Sequence, residues 1–143
     1  MDNELMRFTK AHQEYYEQAL TEIRNGRKST HWMWFIFPQL KELGHSPNAL
    51  YYGIKDLNEA KDFLNDKYLG GNLLEISAAL LALESNDINY IMGSPDDMKL
   101  RSCMTLFSAA APQEKVFTEV LEKYFGGKAD NITQNILKAA ADS

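Results

Sequence analysis

The chain has 143 residues, a net charge of −5 and a single cysteine, Cys103. This length fits one domain whose core needs no metal. The lone cysteine excludes an intramolecular disulfide. The negative charge argues against a broad surface for duplex nucleic acid. No apolar run reaches membrane-spanning length and the first residues lack a signal-peptide pattern, so we expect a cytoplasmic protein that does not enter a membrane.

The first half of the chain begins with an amphipathic pattern. Apolar residues at spacings of three and four predict a helix over residues 4–24, which ends at Asn25-Gly26. Thr30 is placed to cap a second helix, which would run through an aromatic segment and end near Pro38. That short run is also compatible with a buried strand.

Residues that can cap a helix mark four later helix starts. They are Ser46, Asp56, Ser94 and Asp130. Gly70-Gly71 are expected to separate the helix after Asp56 from an apolar helix at 73–83, and Pro112 is expected to start another helix. The last helix should bury a stripe formed by Ile132, Ile136, Leu137 and Ala140. Together these patterns predict a compact all-α single domain over residues 1–143, with about eight helices.

The aromatic segment, residues 31–37, is the densest feature of the chain. It contains two Trp, two Phe and His31, with Lys28 and Thr30 at its polar entrance. Such density either forms the centre of a core or lines a pocket for a flat ligand, and the residue types alone do not decide between these. His31 can exchange a proton near neutral pH, or it can simply orient the segment.

A second polar group lies on the helix predicted after Ser94. Asp97 faces Arg101 across one helical turn, and Arg101 in turn faces Thr105, with Ser102 beside it. A guanidinium with hydroxyls near a helix N-terminus can receive a phosphate or a carboxylate. The alternative is a surface ion pair with small residues that pack between helices.

The remaining reactive side chains do not form a recognisable site. The sequence contains no phosphate-binding glycine loop, no His-Glu-x-x-His and no Cys-x-x-Cys, so we predict no metal and no cofactor. His12 falls on an apolar helix face, where a hydrogen-bonded histidine of the core is expected. His45 lies in a loop, and Cys103 is expected to be an inert core thiol.

Three strings resemble a known family. They are residues 30–40 (Thr-His-Trp-Met-Trp-Phe-Ile-Phe-Pro-Gln-Leu), residues 51–60 (Tyr-Tyr-Gly-Ile-Lys-Asp-Leu-Asn-Glu-Ala) and residues 92–107 (Met-Gly-Ser-Pro-Asp-Asp-Met-Lys-Leu-Arg-Ser-Cys-Met-Thr-Leu-Phe). They are similar to DUF1810, a family of unknown function of which some members carry the label calpastatin-like. The resemblance implies a small, mainly helical, bacterial-type protein with no established reaction. The order of elements also resembles the NADAR family of ADP-ribose-related enzymes.

These features lead to one hypothesis and two alternatives. The hypothesis is a pocket for a nucleotide or ADP-ribose-like ligand, with hydrolysis or transfer as its chemistry if it is catalytic. Aromatic walls would come from Trp32, Trp34, Phe37 and Tyr52. Polar contacts would come from Lys28, Lys99, Arg101, Ser102 and Thr105, and His31 and Asp97 would be the catalytic acid or base. The first alternative is a protein-interaction module that presents residues 31–37 to an unspecified partner. The second is a purely structural role for both groups.

Overall fold

The computed structural model describes residues 3–142 and confirms the all-α fold, since this part of the chain contains nine α-helices and no strand. The helices are α1 (Met6–Arg24), α2 (Met33–Ile36), α3 (Pro47–Tyr51), α4 (Leu57–Asn65), α5 (Lys67–Ala82), α6 (Ile88–Met92), α7 (Asp96–Ala110), α8 (Lys115–Phe125) and α9 (Asn131–Asp142). Two short 3-10 turns cover Asn3–Leu5 and Lys41–Leu43. One isolated parallel bridge joins Leu40 to Ile54 and brings the segments before and after α3 together.

The core is built around a row of four phenylalanine rings. Helix α5 packs against α1, α4 and α8, and α7 packs against α4 and α8. The ring centroids of Phe8 and Phe63 lie 5.1 Å apart, those of Phe63 and Phe107 5.5 Å, and those of Phe107 and Phe117 5.9 Å. All four side chains are fully buried. Offset and edge-to-face aromatic contacts of this kind stabilise a core beyond the area that they bury.

Local capping predicted three of the helix starts correctly. The side chains of Ser46, Asp56 and Asp130 each accept a hydrogen bond from the backbone N–H three residues later, at 2.9–3.1 Å. The cap predicted at Ser94 is wrong, because α7 begins at Asp96 without a side-chain cap. The expected helix start at Pro112 is also wrong, since this proline lies in the turn that precedes α8.

The break predicted at Gly70-Gly71 is wrong, because α5 begins earlier and runs through both glycines. The chain turns instead at Asp66, whose carboxylate accepts hydrogen bonds from the backbone N–H groups of Tyr68 and Leu69. Gly70 lies directly against the end of α4, where an added Cβ would come within 2.0 Å of the carbonyl oxygen of Leu64. The glycine therefore permits a close helix crossing and does not end a helix.

This crossing predicts opposite effects for two neighbouring alanine substitutions. Gly70→Ala should lower the free energy of unfolding by about 1–3 kcal/mol, because the methyl group would overlap the Leu64 carbonyl. Gly71→Ala is the matched control, because its Cβ would meet nothing within 4 Å, and it should stabilise by about 0.5–1 kcal/mol. Urea denaturation of both variants tests this. A neutral Gly70→Ala would contradict the close crossing.

The last helix lies at the edge of the domain. The predicted buried stripe of α9 is wrong, because the side chain of Ile132 is 61% exposed and Ala140 is exposed. Ile136 and Leu137 are only partly buried, whereas Thr133 is fully buried. Thr133 donates from its hydroxyl to Asp130 at 2.7 Å, so the capping residue rather than an apolar stripe secures the start of the helix. No helix between residues 3 and 142 has the length and apolar character that crossing a membrane requires.

Candidate functional site

The aromatic segment is part of the core. Five of its seven side chains are buried, namely Trp32, Met33, Phe35, Ile36 and Phe37. Trp34 is half-buried and His31 is exposed. The sequence left open whether residues 31–37 form part of the core or line a pocket. Most of their side chains belong to the core.

A buried carboxylate on α1 holds the entrance of this segment. Glu22 Oε1 accepts hydrogen bonds from the backbone N–H of Ser29 at 2.8 Å, the backbone N–H of Thr30 at 3.1 Å and the indole N–H of Trp32 at 2.9 Å. The Thr30 hydroxyl donates to Glu22 Oε2 at 2.6 Å, so the predicted helix cap at Thr30 is wrong. Burial alone would raise the pKa of the Glu22 carboxyl, but these hydrogen bonds outweigh it and lower the pKa to about 2.

Lys28 links the same entrance to the start of α7. Its ammonium group forms an ion pair with Asp96 at 2.9 Å and donates to the carbonyl oxygen of Thr30 at 2.6 Å. It also lies 5.0 Å from the ring centroid of Trp32, and only 7% of its side chain is exposed. These partners leave the ammonium little access to a ligand, so its observed contacts are structural. Lys99 lies at the other oxygen of Asp96, 3.8 Å away.

The Arg101 side chain contacts the loop between α8 and α9. Its guanidinium donates to the carbonyl oxygens of Lys128 and Ala129 at 2.8 and 2.9 Å. Thr105 donates to the Arg101 carbonyl and accepts from the backbone N–H of Asp130, both at 2.8 Å. These hydrogen bonds hold the loop between α8 and α9 against α7.

The other polar residues of α7 form local hydrogen bonds. Asp97 accepts from the side-chain amide of Asn89 at 3.2 Å, and no ion pair joins it to Arg101 in the described part of the chain. The predicted pairing of Asp97 with Arg101 is therefore wrong. Ser102 donates to the carbonyl oxygen of Met98 at 3.3 Å within its own helix. His31 makes no hydrogen bond with residues 3–142, and nothing links it to Asp97.

The contacts of Arg101 predict a structural cost for its removal. Arg101→Ala should lower the free energy of unfolding by about 1–3 kcal/mol, because two carbonyl oxygens lose a charged donor. Arg101→Lys should cost less, because one ammonium can still reach one carbonyl. Asp97→Ala on the same helix is the comparison and should cost clearly less, because this carboxylate accepts only exposed hydrogen bonds, from Asn89 and the backbone N–H of Met98. Equal losses for Asp97→Ala and Arg101→Ala in urea denaturation would contradict this geometry.

Four of the predicted site residues do meet. Trp34, Phe37, Tyr52 and Lys99 line one narrow cleft, with the ammonium of Lys99 lying 5.8 Å from the Trp34 ring centroid. Its free volume of about 10 Å³ has room for about one water molecule. Ligand contact at these residues stays a prediction, but a nucleotide would enter only if the cleft widened.

A larger concavity, which shares its lining residue Gly53 with the narrow cleft, lies between α1, α3 and the start of α4. We call it the basic cleft; its volume is about 540 Å³, and its lining residues are Glu4, Met6, Arg7, Lys10, Lys41, Leu50, Tyr51, Gly53, Lys55 and Glu59. Four cations face two carboxylates in this lining, which gives a net charge of +2 in a chain whose net charge is −5. The sequence-based site contained none of these residues. One signal was present, since Arg7 and Lys10 are one turn apart on α1 and lie on one face of the helix.

Arg7 organises the floor of the basic cleft. Its guanidinium donates to the carbonyl oxygen of Tyr51 at 2.7 Å and to that of Gly53 at 2.9 Å, and it pairs with Glu59 at 3.2 Å. The same Glu59 oxygen accepts the backbone N–H of Lys55 at 2.8 Å. Arg7 thereby fixes the backbone that follows α3 against α1, and the floor is preorganised by buried partners.

Gly53 allows two backbone segments to approach closely beneath this cleft. An added Cβ at Gly53 would lie 2.4 Å from the Cα of Lys41. The backbone N–H of Lys41 donates to the carbonyl oxygen of Ile54 at 2.8 Å, and that of Ile54 donates to Gln39 at 2.9 Å. The glycine and the two hydrogen bonds together set Lys41 beside the Arg7 contacts.

The core contains one hydrogen-bonded histidine, His12, and one buried free thiol, Cys103. His12 Nε2 donates to the carbonyl oxygen of Phe35 at 2.8 Å, and its Nδ1 accepts from the side-chain amide of Asn72 at 3.0 Å. Burial lowers the pKa of His12 to about 4, and burial raises the pKa of the Cys103 thiol. His45 is exposed. In residues 3–142, no three His, Cys, Asp or Glu side chains are grouped so that they could hold a metal ion.

Comparison with known proteins gives a family and a structural relative. A family model described as "Protein of unknown function (DUF1810)" matches residues 2–137. The crystal structure of the conserved hypothetical protein Rv1873 from Mycobacterium tuberculosis is similar, with 43% sequence identity and a TM-score of 0.92 over 94% of this chain and 96% of that chain. No curated protein matches the chain. The match over residues 2–137 agrees with the resemblance of the three sequence strings, and the chain belongs to the DUF1810 family.

Proposed function

We propose that the protein binds a nucleotide-like anion, an aromatic ligand that carries phosphate, in the basic cleft. The observation that carries this proposal is the concentration of cations in the lining. A concavity of about 540 Å³ has the size of a small-molecule site, and its net positive charge contrasts with the negative chain around it.

The lysines of the basic cleft are available to a ligand. Lys10 and Lys41 are exposed, and neither forms an ion pair within the described residues. Lys55 forms only a loose pair with Glu4, at 3.7 Å, in which both side chains are 62% exposed. Exposed pairs of this kind contribute little to stability, so the ammonium group of Lys55 is accessible to a phosphate group.

An aromatic platform stands beside these charges. The side chain of Tyr51 is 60% exposed, although the Arg7 hydrogen bond fixes the backbone carbonyl of Tyr51. The Tyr52 ring supports it edge-on, with centroids 4.8 Å apart. An exposed ring on a fixed backbone can stack on a flat ligand at low entropic cost, and Met6 and Leu50 extend the apolar side of the cleft.

Binding is the part of the hypothesis that this geometry supports best. Hydrolysis or transfer would need a free base near the phosphate, but the buried Glu59 is already paired with Arg7 and the Lys55 backbone. His31 and Asp97 remain predicted catalytic residues without a shared cavity. The alternative, a protein-interaction module that presents residues 31–37, has less support, since most of these side chains are buried. A cytoplasmic location is part of the proposal and fits the single buried thiol of Cys103.

Calorimetric titration with ADP and ADP-ribose tests the proposal. We expect binding to the unmodified protein, and Lys41→Gln should weaken it about tenfold through the loss of one charged contact. Lys138→Gln is the control, because this lysine is exposed on α9 and does not line the basic cleft. Tyr51→Ala should weaken ADP binding and leave pyrophosphate binding unchanged. No binding of either nucleotide, or equal effects of Lys41→Gln and Lys138→Gln, would refute the proposal.

A further inference from the structure

A smaller cavity lies where the second half of α4, the middle of α5 and the link between α7 and α8 meet. We call it the α4 cavity; it shares no lining residue with the basic cleft. Its volume is about 230 Å³, which is below the roughly 300–1,000 Å³ typical of sites for drug-sized ligands. The α4 cavity therefore suits a ligand smaller than a nucleotide.

The least exposed lining residues of the α4 cavity are apolar and form its floor. Leu64 and Leu74 are partly buried and pack against the hydrophobic core. Ala110 and Ala111, at the end of α7, are buried. An aliphatic group that lies on this floor would lose contact with water, which favours its binding.

Polar side chains of opposite charge border this floor from two different segments. Lys61 and Asn65 lie one turn apart on α4, whereas Gln113 and Glu114 follow each other in the link before α8. None of these four side chains has a hydrogen-bond or ion-pair partner within residues 3–142. The α4 side therefore offers ammonium and amide N–H donors, and the link offers carboxylate and amide oxygens.

We propose that the α4 cavity binds a small aliphatic amino acid in its zwitterionic form. The carboxylate of the amino acid accepts hydrogen bonds from the Lys61 ammonium and the Asn65 amide. Its ammonium group donates to the Glu114 carboxylate and the amide oxygen of Gln113, and its side chain lies on the apolar floor. A ligand with a single charge would leave either Lys61 or Glu114 without a counter-charge, so the site selects for a molecule that carries both.

Calorimetric titration with leucine and three analogues tests this proposal. Glycine keeps both charges but lacks the aliphatic side chain, isocaproate lacks the ammonium group, and isoamylamine lacks the carboxylate. We expect leucine to bind at least about tenfold more tightly than each analogue. Each analogue loses either the burial of the aliphatic group or the charge-assisted contacts to one border of the cavity.

Two variants assign each charge of leucine to its partner. Lys61→Gln should weaken leucine binding at least about threefold and leave isoamylamine binding unchanged, because this amine has no carboxylate for Lys61 to contact. Glu114→Gln should weaken leucine binding to a similar extent and leave isocaproate binding unchanged. Lys138→Gln and Glu119→Gln are the matched controls, since they make the same charge changes at exposed positions that do not line the cavity, and they should not affect leucine binding.

Three results would overturn the proposal. They are no binding of leucine at millimolar concentration, equal affinities for leucine, isocaproate and isoamylamine, and losses of affinity in the control variants as large as those in Lys61→Gln and Glu114→Gln. Urea denaturation of the two cavity variants would exclude a folding defect as the cause of weaker binding. None of these results bears on nucleotide binding, because the two sites share no lining residue.

Discussion

Glu22→Gln should lower the free energy of unfolding by about 3 kcal/mol at pH 7. Folding shifts the pKa of the Glu22 carboxyl from 4.5 to about 2, so the folded protein stabilises the charged form by roughly that free energy. The uncharged amide of glutamine resembles the protonated carboxyl and loses this stabilisation. The carboxylate accepts five hydrogen bonds, from Gln18, Ser29, Thr30 and Trp32. The amide of glutamine has only one oxygen, so its NH2 group would face two of these donors and could not accept their hydrogen bonds. The buried indole of Trp32 and the loop before α2 depend on this acceptor, so the cost extends to the core.

The pH dependence of this difference provides a second readout. The folded-state pKa of Glu22 lies below its unfolded value, so its contribution is complete above pH 4.5 and is lost as the pH falls toward 2. Urea denaturation between pH 7 and pH 3 should show the difference between wild type and Glu22→Gln shrinking below pH 4.5. Glu17→Gln, an exposed position on the same helix, should change stability by less than about 0.5 kcal/mol. A pH-independent difference would contradict the anchoring role of Glu22.

Phe117→Ala should lower the free energy of unfolding by about 3–5 kcal/mol, because the ring is fully buried at the end of the phenylalanine row. Its centroid lies 5.9 Å from that of Phe107, so the substitution removes an aromatic contact and leaves a cavity. Phe125→Ala on the same helix is the matched control and should cost clearly less, since that side chain is half-buried. A loss below about 1 kcal/mol for Phe117→Ala in chemical denaturation would show that the core is misassigned.

The helices could be predicted from the sequence where their signals are local. Ser46, Asp56 and Asp130 cap their helices because a side-chain oxygen reaches an N–H only three residues away. The prediction at Gly70 was wrong because the constraint that requires a glycine there comes from another helix, α4, whose Leu64 carbonyl leaves no room for a Cβ. A sequence pattern within one segment cannot distinguish a helix end from a close helix crossing.

The site was harder to predict, for a related reason. Aromatic density marked residues 31–37, but Glu22 supplies the buried partner that lets Trp32 enter the core, and it lies ten residues earlier. The basic cleft brings Arg7, Lys41 and Lys55 together from separate segments through hydrogen bonds to backbone carbonyls and through the close approach at Gly53. No short motif joins these residues, so only the fold places them around one cavity.

The location of the ligand site is tested most directly by following backbone amide chemical shifts of isotope-labelled protein during a titration with ADP. The basic cleft predicts that the largest changes fall on residues that line this cleft alone, at Lys10, Lys41 and Lys55. Amides of the narrow cleft and of α7 serve as internal controls; these are Trp34, Lys99 and Arg101. The largest changes at these controls, or no changes in either set at millimolar ADP, would contradict nucleotide binding in the basic cleft.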